Sequence, residues 1–313
     1  MIVRGRPSGF RLFVALRGSV LRQIWGVLLV NILFATLVTL THGDLFKLKI
    51  TLTAMPFTLL SLPLAIFLGF RNNAAYDRYW EGRKQWGELV LQCRNLSRQC
   101  LSLIDQREPV ETKKKFGDVR IRMIYRAIAF AHALRHQLRG TEAGAELQPL
   151  LEKPEWAGIE NTANLPHYLM HQMGNDLHQC IGEKRLDGCL ATAIDKTLSS
   201  MSSTAAACER IKTTPLPFSY TLLLRRTAYL YCFLLPFGLV DTIGFMTPFV
   251  VGLVAYTFFG LDALGDEIEE PFGNSPNDLA LNSICRTIEI DLRDAVGDDH
   301  QLEPLTPVNY CLM

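Results

Sequence analysis

The sequence carries almost no net charge with which to recruit an oppositely charged partner. Its 32 Lys and Arg stand against 31 Asp and Glu, leaving +1 over 313 residues, so bulk electrostatics do not point to nucleic acid. It has no C-x-x-C pair: Cys93, Cys100, Cys180, Cys189, Cys208, Cys232, Cys285 and Cys311 stand apart, most of them in a charged, helical middle. That spacing excludes a disulfide scaffold and reads as buried or free cytosolic thiols. There is no glycine-rich phosphate loop, no G-x-S-x-G and no H-E-x-x-H. With no nucleophile–base pair to read, an enzyme is the least supported class. His132 and His136 lie four apart, as do His167 and His171, with His178 two turns on. No Cys or carboxylate sits at a spacing that would confirm a metal site, so they read as polar helix surface, with no metal or other cofactor called for. No stretch alternates long enough to make a strand of useful length.

What the chain does have is long runs free of charge. Ile24 to Thr41, extendable back to Leu21, is one. It follows Arg4, Arg6, Arg11, Arg17 and Arg22 as the start of a signal peptide would, but it is long for an h-region and no small-residue cleavage site follows. It therefore reads as a retained membrane helix. Ile50 to Phe70 is the second, with Pro56 and Pro63 inside it, which membrane helices tolerate when neighbours satisfy the freed carbonyls. Between Arg226 and Asp262 only Asp241 is charged. A single helix there would be roughly 52 Å long, well beyond the ~30 Å hydrocarbon core. The chain must fold back, and Asp241-Thr242-Ile243-Gly244 is the expected turn. The segment before that turn starts near Phe218 and carries Arg225 and Arg226, which must snorkel, face a wet cavity or sit at the interface.

These runs predict an all-α protein with four transmembrane helices and a helical soluble region. Residues 1–70 hold a basic segment and the first two spans. Residues 71–215 are the soluble region, with helical spacing at 94–104, 119–138, 167–181 and 186–211. Residues 216–264 hold the last two spans, and 265–313 a C-terminal segment. Four spans put both termini on one side. The arginine-rich N-terminus and the cluster Arg71, Arg78, Arg83 and Lys84 flank that side, and the positive-inside rule makes it cytosolic. After the last span come Asp262, Asp266, Glu267, Glu269 and Glu270, which either pair with the N-terminal arginines or form a solvated acidic face.

In the second span Leu62, Ile66 and Phe70 fall at i, i+4 and i+8 on one helix face. Periodicity alone assigns them to packing against a neighbouring helix. Arg71-Asn72-Asn73 then marks a polar, wettable exit.

Four motifs resemble the bestrophin family. Arg17-Gly18-Ser19 precedes the first span, and Phe67-Leu68-Gly69-Phe70 ends the second. Asp77-Arg78-Tyr79-Trp80 follows, and Pro271-Phe272-Gly273 comes after the fourth span. Order, spacing and membrane context agree over nearly the whole chain, and the terse loops resemble the bacterial branch. The resemblance implies a homopentamer around a central pore in a bacterial inner membrane, with no partner beyond itself, lipid and monovalent ions. It implies that Leu62, Ile66 and Phe70 form a hydrophobic neck and that Ile181 forms a second, cytosolic constriction.

Animal bestrophins, which pass anions, have aromatics at two of the three neck positions, whereas the middle position here is Ile66. The bacterial branch resembles monovalent cation channels, so Na⁺ and K⁺ are the expected ions and an anion channel of the same architecture is the alternative. A non-conducting, membrane-anchored helical scaffold or sensor is the alternative of another class. The family's calcium-binding acidic run reads Asn274-Ser275-Pro276-Asn277-Asp278 here. With one carboxylate where calcium prefers several, activation by calcium is not expected.

Overall fold

The computed structural model describes residues 1–3, 18–42, 44–45, 48–49, 52–105, 116–152, 155–156, 159 and 162–312. Arg4, Arg6, Arg11, Arg17 and Lys47 lie outside the described residues. The elements in chain order are α1 (Leu21–Leu40), β1 (Asp44–Leu45), β2 (Leu48–Lys49), α2 (Ala54–Leu103), α3 (Val119–Arg139), α4 (Gly144–Leu147), α5 (Leu165–Gly182), α6 (Gly188–Thr213), α7 (Phe218–Ile243), α8 (Thr247–Glu269) and α9 (Leu281–Val296). Among the described residues the regular structure is helical, apart from the antiparallel pair β1–β2, two residues to a strand, and isolated bridges near the termini.

The chain forms two compact units. One, here the apolar unit, is residues 4–79 and 215–270; the other, the polar unit, is residues 1–3, 80–214 and 271–313. Helix α2 runs without a break for 50 residues, more than twice what the ~30 Å hydrocarbon core needs. The charge that returns at Arg71 therefore does not end the helix.

In the apolar unit α1 packs on α7 and α8, and α7 on α8. The fold-back comes at the far end of the expected turn, since Asp241, Thr242 and Ile243 still belong to α7: Gly244 caps α7 with φ of +50°, a 3₁₀ turn spans Gly244–Met246, and Pro248 sits in the first turn of α8, where its missing N–H costs nothing. Small residues bring the helices together. A Cβ on Gly238 would lie 2.5 Å from the Phe57 ring, and one on Gly252 would lie 3.1 Å from Ile32. Phe57, Leu64, Leu68, Leu224, Leu235 and Phe259 are buried among the helices. The outward faces are apolar as well: Leu33 is 59% exposed, Leu230 63% and Phe249 73%. Water would not tolerate so much contiguous apolar surface. By length and composition, Leu21–Leu40, Ala54–Leu103 and the run Phe218–Glu269 can each cross a membrane.

The polar unit is built around α3, which packs on α5, α6 and α9. Asp118 caps its start by accepting from the Arg120 amide, and Gly140 ends it in the left-handed region. Almost every residue from Val119 to Arg135 is buried, including Arg120, Arg126, His132 and Arg135. Such charges persist in a core only when paired, and each is. Arg120 pairs with Asp118, Arg126 with Glu155 and Asp176, and Arg135 with Glu146. Helix α2 adds Trp86, Leu89, Cys93, Leu96 and Cys100 at alternating three- and four-residue steps, all fully buried. All eight cysteines are free thiols. Burial pushes those of Cys208 and Cys285 up to about 12, which makes them inert. The two ends of the chain meet in this unit, the Val3 amide donating to the Tyr310 carbonyl and the Leu312 amide to that of Met1.

Candidate functional site

The first part of α2 sorts its residues cleanly by face. Phe57, Leu64, Leu68, Arg71 and Ala75 are buried. At ~100° per residue they fall within about 40° of one line along the helix. Ile66 lies about 180° from that line, and Leu62 and Phe70 about 140° to either side. Leu62 is 66% exposed, Ile66 46% and Phe70 60%. The three expected neck residues thus occupy the side of α2 turned away from its own bundle, and packing within one subunit does not account for them. The same side continues into Asn73 and Asp77, both exposed. Asp77 is the first charge on it after Phe70.

The neck side is positioned by an anchor that sequence reasoning missed. Arg71, directly after Phe70, has no exposed surface. Its Nη1 donates to Asp262 Oδ1 at 2.7 Å and to the Asp262 carbonyl at 3.2 Å. Its Nη2 bonds Asp266 and lies 3.8 Å from Glu269. Arg225 on α7 donates to Asp262 Oδ2 at 2.9 Å and also bonds Asp266. Arg78 Nε reaches the Glu269 carbonyl at 3.2 Å. The acids after the last span therefore tie α2, α7 and α8 together. This corrects the solvated-face reading for Asp262, which is buried with Arg71 and Arg225 as partners; the alternative of pairing with Arg4, Arg6, Arg11 and Arg17 lies outside the described residues. Gly265 is required at this crossing, since a Cβ there would lie 2.5 Å from Asn72 Oδ1 and 3.2 Å from Arg71 Nη1. The signal available in the sequence was an arginine abutting a charge-free run, together with acids that had no local partner.

In the polar unit, Ile181 sits near the end of α5, 41% exposed. Among the described residues no group of three or more His, Cys, Asp or Glu is arranged to hold a metal. His132 is buried rather than surface, with Nδ1 3.0 Å from Glu146. Asp278 is buried too, and its carboxylate accepts from the Ser275 amide at 2.6 Å, closing the turn that holds Asn274 to Asp278.

Residues 1–294 match the family described as Bacterial/Fungal Bestrophin protein. The chain belongs to that family. A voltage-dependent anion channel-forming protein of Mesorhizobium japonicum is 42% identical, covering 95% of this chain and 93% of the relative. One of Ralstonia nicotianae is 41% identical, covering 95% of each. A crystal structure of a bacterial bestrophin homolog from Klebsiella pneumoniae, in a mutated form, superposes with a TM-score of 0.81 at 38% identity. It covers 88% of this chain and 99% of that one. This bestrophin is therefore a membrane protein, and the relatives named here are channels rather than enzymes. The anchored α2 side is where a bestrophin reading directs attention, because it is uncharged and leaves large side chains uncovered.

Proposed function

We propose that the protein is an ion channel in which copies of α2 surround a shared axis and Leu62, Ile66 and Phe70 form its neck. The observation that carries this reading is the uncharged, exposed side of α2 lying opposite its buried stripe. Rings of such side chains make a narrow, dewetting constriction. Five copies, four spans per copy and cytosolic termini in an inner membrane complete the reading. So do a cytosolic region over 71–215 and a second constriction at Ile181. Calcium activation is not part of it, since the Asp278 carboxylate is spent on its own turn. The test is conduction by purified protein in planar bilayers. Ile66→Ala should raise conductance severalfold by widening the ring, and silence of both proteins under every ion gradient would sink the channel.

The sign of the ion has two readings. The relatives' names favour anions, and that reading comes first. Phe70 is compatible with it, offering ring edges to an anion. The expectation of Na⁺ and K⁺ moves to second place. It keeps support from the aliphatic Ile66 and from Asp77, which would add a ring of carboxylates beyond Phe70, while Arg71 is buried and neutralised. Reversal potentials in asymmetric KCl separate the two. Under the cation reading, Ile66→Phe shifts selectivity toward anions and Asp77→Asn lowers cation preference. Under the anion reading, neither reverses the sign.

A further inference from the structure

A cavity of about 330 Å³ opens in the polar unit among α3, α4 and α9, at residues that the conduction reading does not use. The two carboxylates in its wall are already engaged. Glu146 accepts from Arg135 and lies 3.0 Å from His132 Nδ1. Glu289 is paired with Arg293 at 2.9 Å. The groups left over are donors. Arg286 has Glu289 no nearer than 4.0 Å. Asn282 Oδ1 accepts from Arg139 at 2.6 Å, so its amide nitrogen is the donor to spare. His132 is 6% exposed, and its Nε2 is buried with no hydrogen-bond partner. Glu289 Oε2 lies 3.5 Å away, outside hydrogen-bond geometry. Burial opposes charge on this histidine, but the Glu146 and Glu289 carboxylates outweigh it and raise its pKa. That favours the form in which both ring nitrogens donate. Leu150 and Leu305 supply apolar wall.

A buried donor without a partner is costly, and here it lines a space at the small end of ligand cavities. A metal ion is the wrong occupant, because the carboxylates are paired and the spare groups are cationic or donor-only. We propose that the cavity binds a small organic anion, a carboxylate on a short aliphatic body. The carboxylate lies between Arg286 and His132 Nε2, and the body lies against Leu150 and Leu305.

The test is calorimetric titration of the full-length protein in detergent with butyrate, and separately with inorganic phosphate at matched ionic strength. Saturable butyrate binding is expected, weakened at least tenfold by Arg286→Gln and also by Leu305→Asp, which change opposite ends of the site. Should Arg286→Gln fail to fold, Leu305→Asp, at a partly exposed position, decides alone. Phosphate binding as tightly as butyrate and untouched by Leu305→Asp would overturn the aliphatic assignment. No saturable binding of either probe, or butyrate binding that both variants leave within twofold, would overturn the site.

Discussion

Both units bury arginines, and they do so in opposite ways. In the polar unit the buried charges are strung along α3, from Arg120 to Arg135, each met by an acid from a different direction. In the apolar unit, Arg71 and Arg225 share Asp262 and Asp266 at one level, part-way along α2, about two turns into α7 and about two turns before the end of α8. The outer surfaces differ in parallel, the apolar unit showing Leu33, Leu230 and Phe249 outward. The surroundings explain both differences. A unit in water can bring acids to a buried base from any side. A bundle in lipid has apolar surroundings along its length and keeps its buried charge together at one level.

The largest expected effect lies at the anchor. Arg71→Ala takes two of its three bonds from buried Asp262 and leaves Arg225 as its partner, which costs about 3 kcal/mol, the low end for breaking a buried pair. Arg126→Ala should cost about as much in the polar unit, because it strands Glu155 and leaves Asp176 to Arg122 alone. Thermal unfolding in detergent measures both. A cost below about 1 kcal/mol for Arg71→Ala, beside a large one for Arg126→Ala, would mean that the anchor is a solvated surface pair and the contrast between the units false.

A sharper comparison uses two leucines that look alike by exposure. Leu230 on α7 is 63% exposed and Leu190 on α6 is 43% exposed. If the first faces lipid, Leu230→Asp costs roughly 2.5–3.5 kcal/mol of insertion. Leu190→Asp, in water and in the first turn of a helix, should change stability by no more than about 0.5 kcal/mol. Membrane-inserted yield and unfolding midpoints report the two. Equal effects would remove lipid as the reason for the apolar unit's surface.

How much of this was legible depended on how local the cause was. Helix α1 and the Gly244 turn follow from run length, because a bilayer fixes how long a span must be. The neck side was legible as a spacing, but not as a free surface, since a charge-free helix shows the same stripe on every side. The continuity of α2 through Arg71 was hidden. What keeps that arginine helical and buried is Asp262, 191 residues away. The α3 histidine was misread for the same reason. Arg120, Arg122, Arg126 and Arg135 give the helix a polar sequence, and only acids from Asp176, Glu155 and Glu146 make it a core.

The smallest expected effect is a pH dependence confined to the polar unit. His132 on α3 faces Glu146 on α4 and Glu289 on α9, with Arg135 and His136 beside it. Its pKa is raised, burial opposing and the two carboxylates prevailing. Its contribution is therefore complete below its unfolded value of about 6.5 and lost as pH rises through the folded value. Glu289 is lowered, burial opposing and His132 with Arg293 prevailing. Glu146 is lowered chiefly by its bond to His132. Their contributions are complete above about 4.3 and lost as pH falls through their folded values. The histidine clamp is thus strongest between roughly pH 4.5 and 6.5. His132→Gln should cost about 1–2 kcal/mol near pH 5.5, the worth of one charged hydrogen bond to the half-exposed Glu146 and a longer ion pair with Glu289, and less by pH 8.5. His136, lowered by burial and by Arg135, titrates in the opposite sense and shares Glu146 with His132, so the same comparison made in a His136→Gln background separates the two. A cost that stays flat from pH 5.5 to 8.5 would mean a neutral imidazole held by packing. The polar unit would then owe this corner to shape rather than to paired charge.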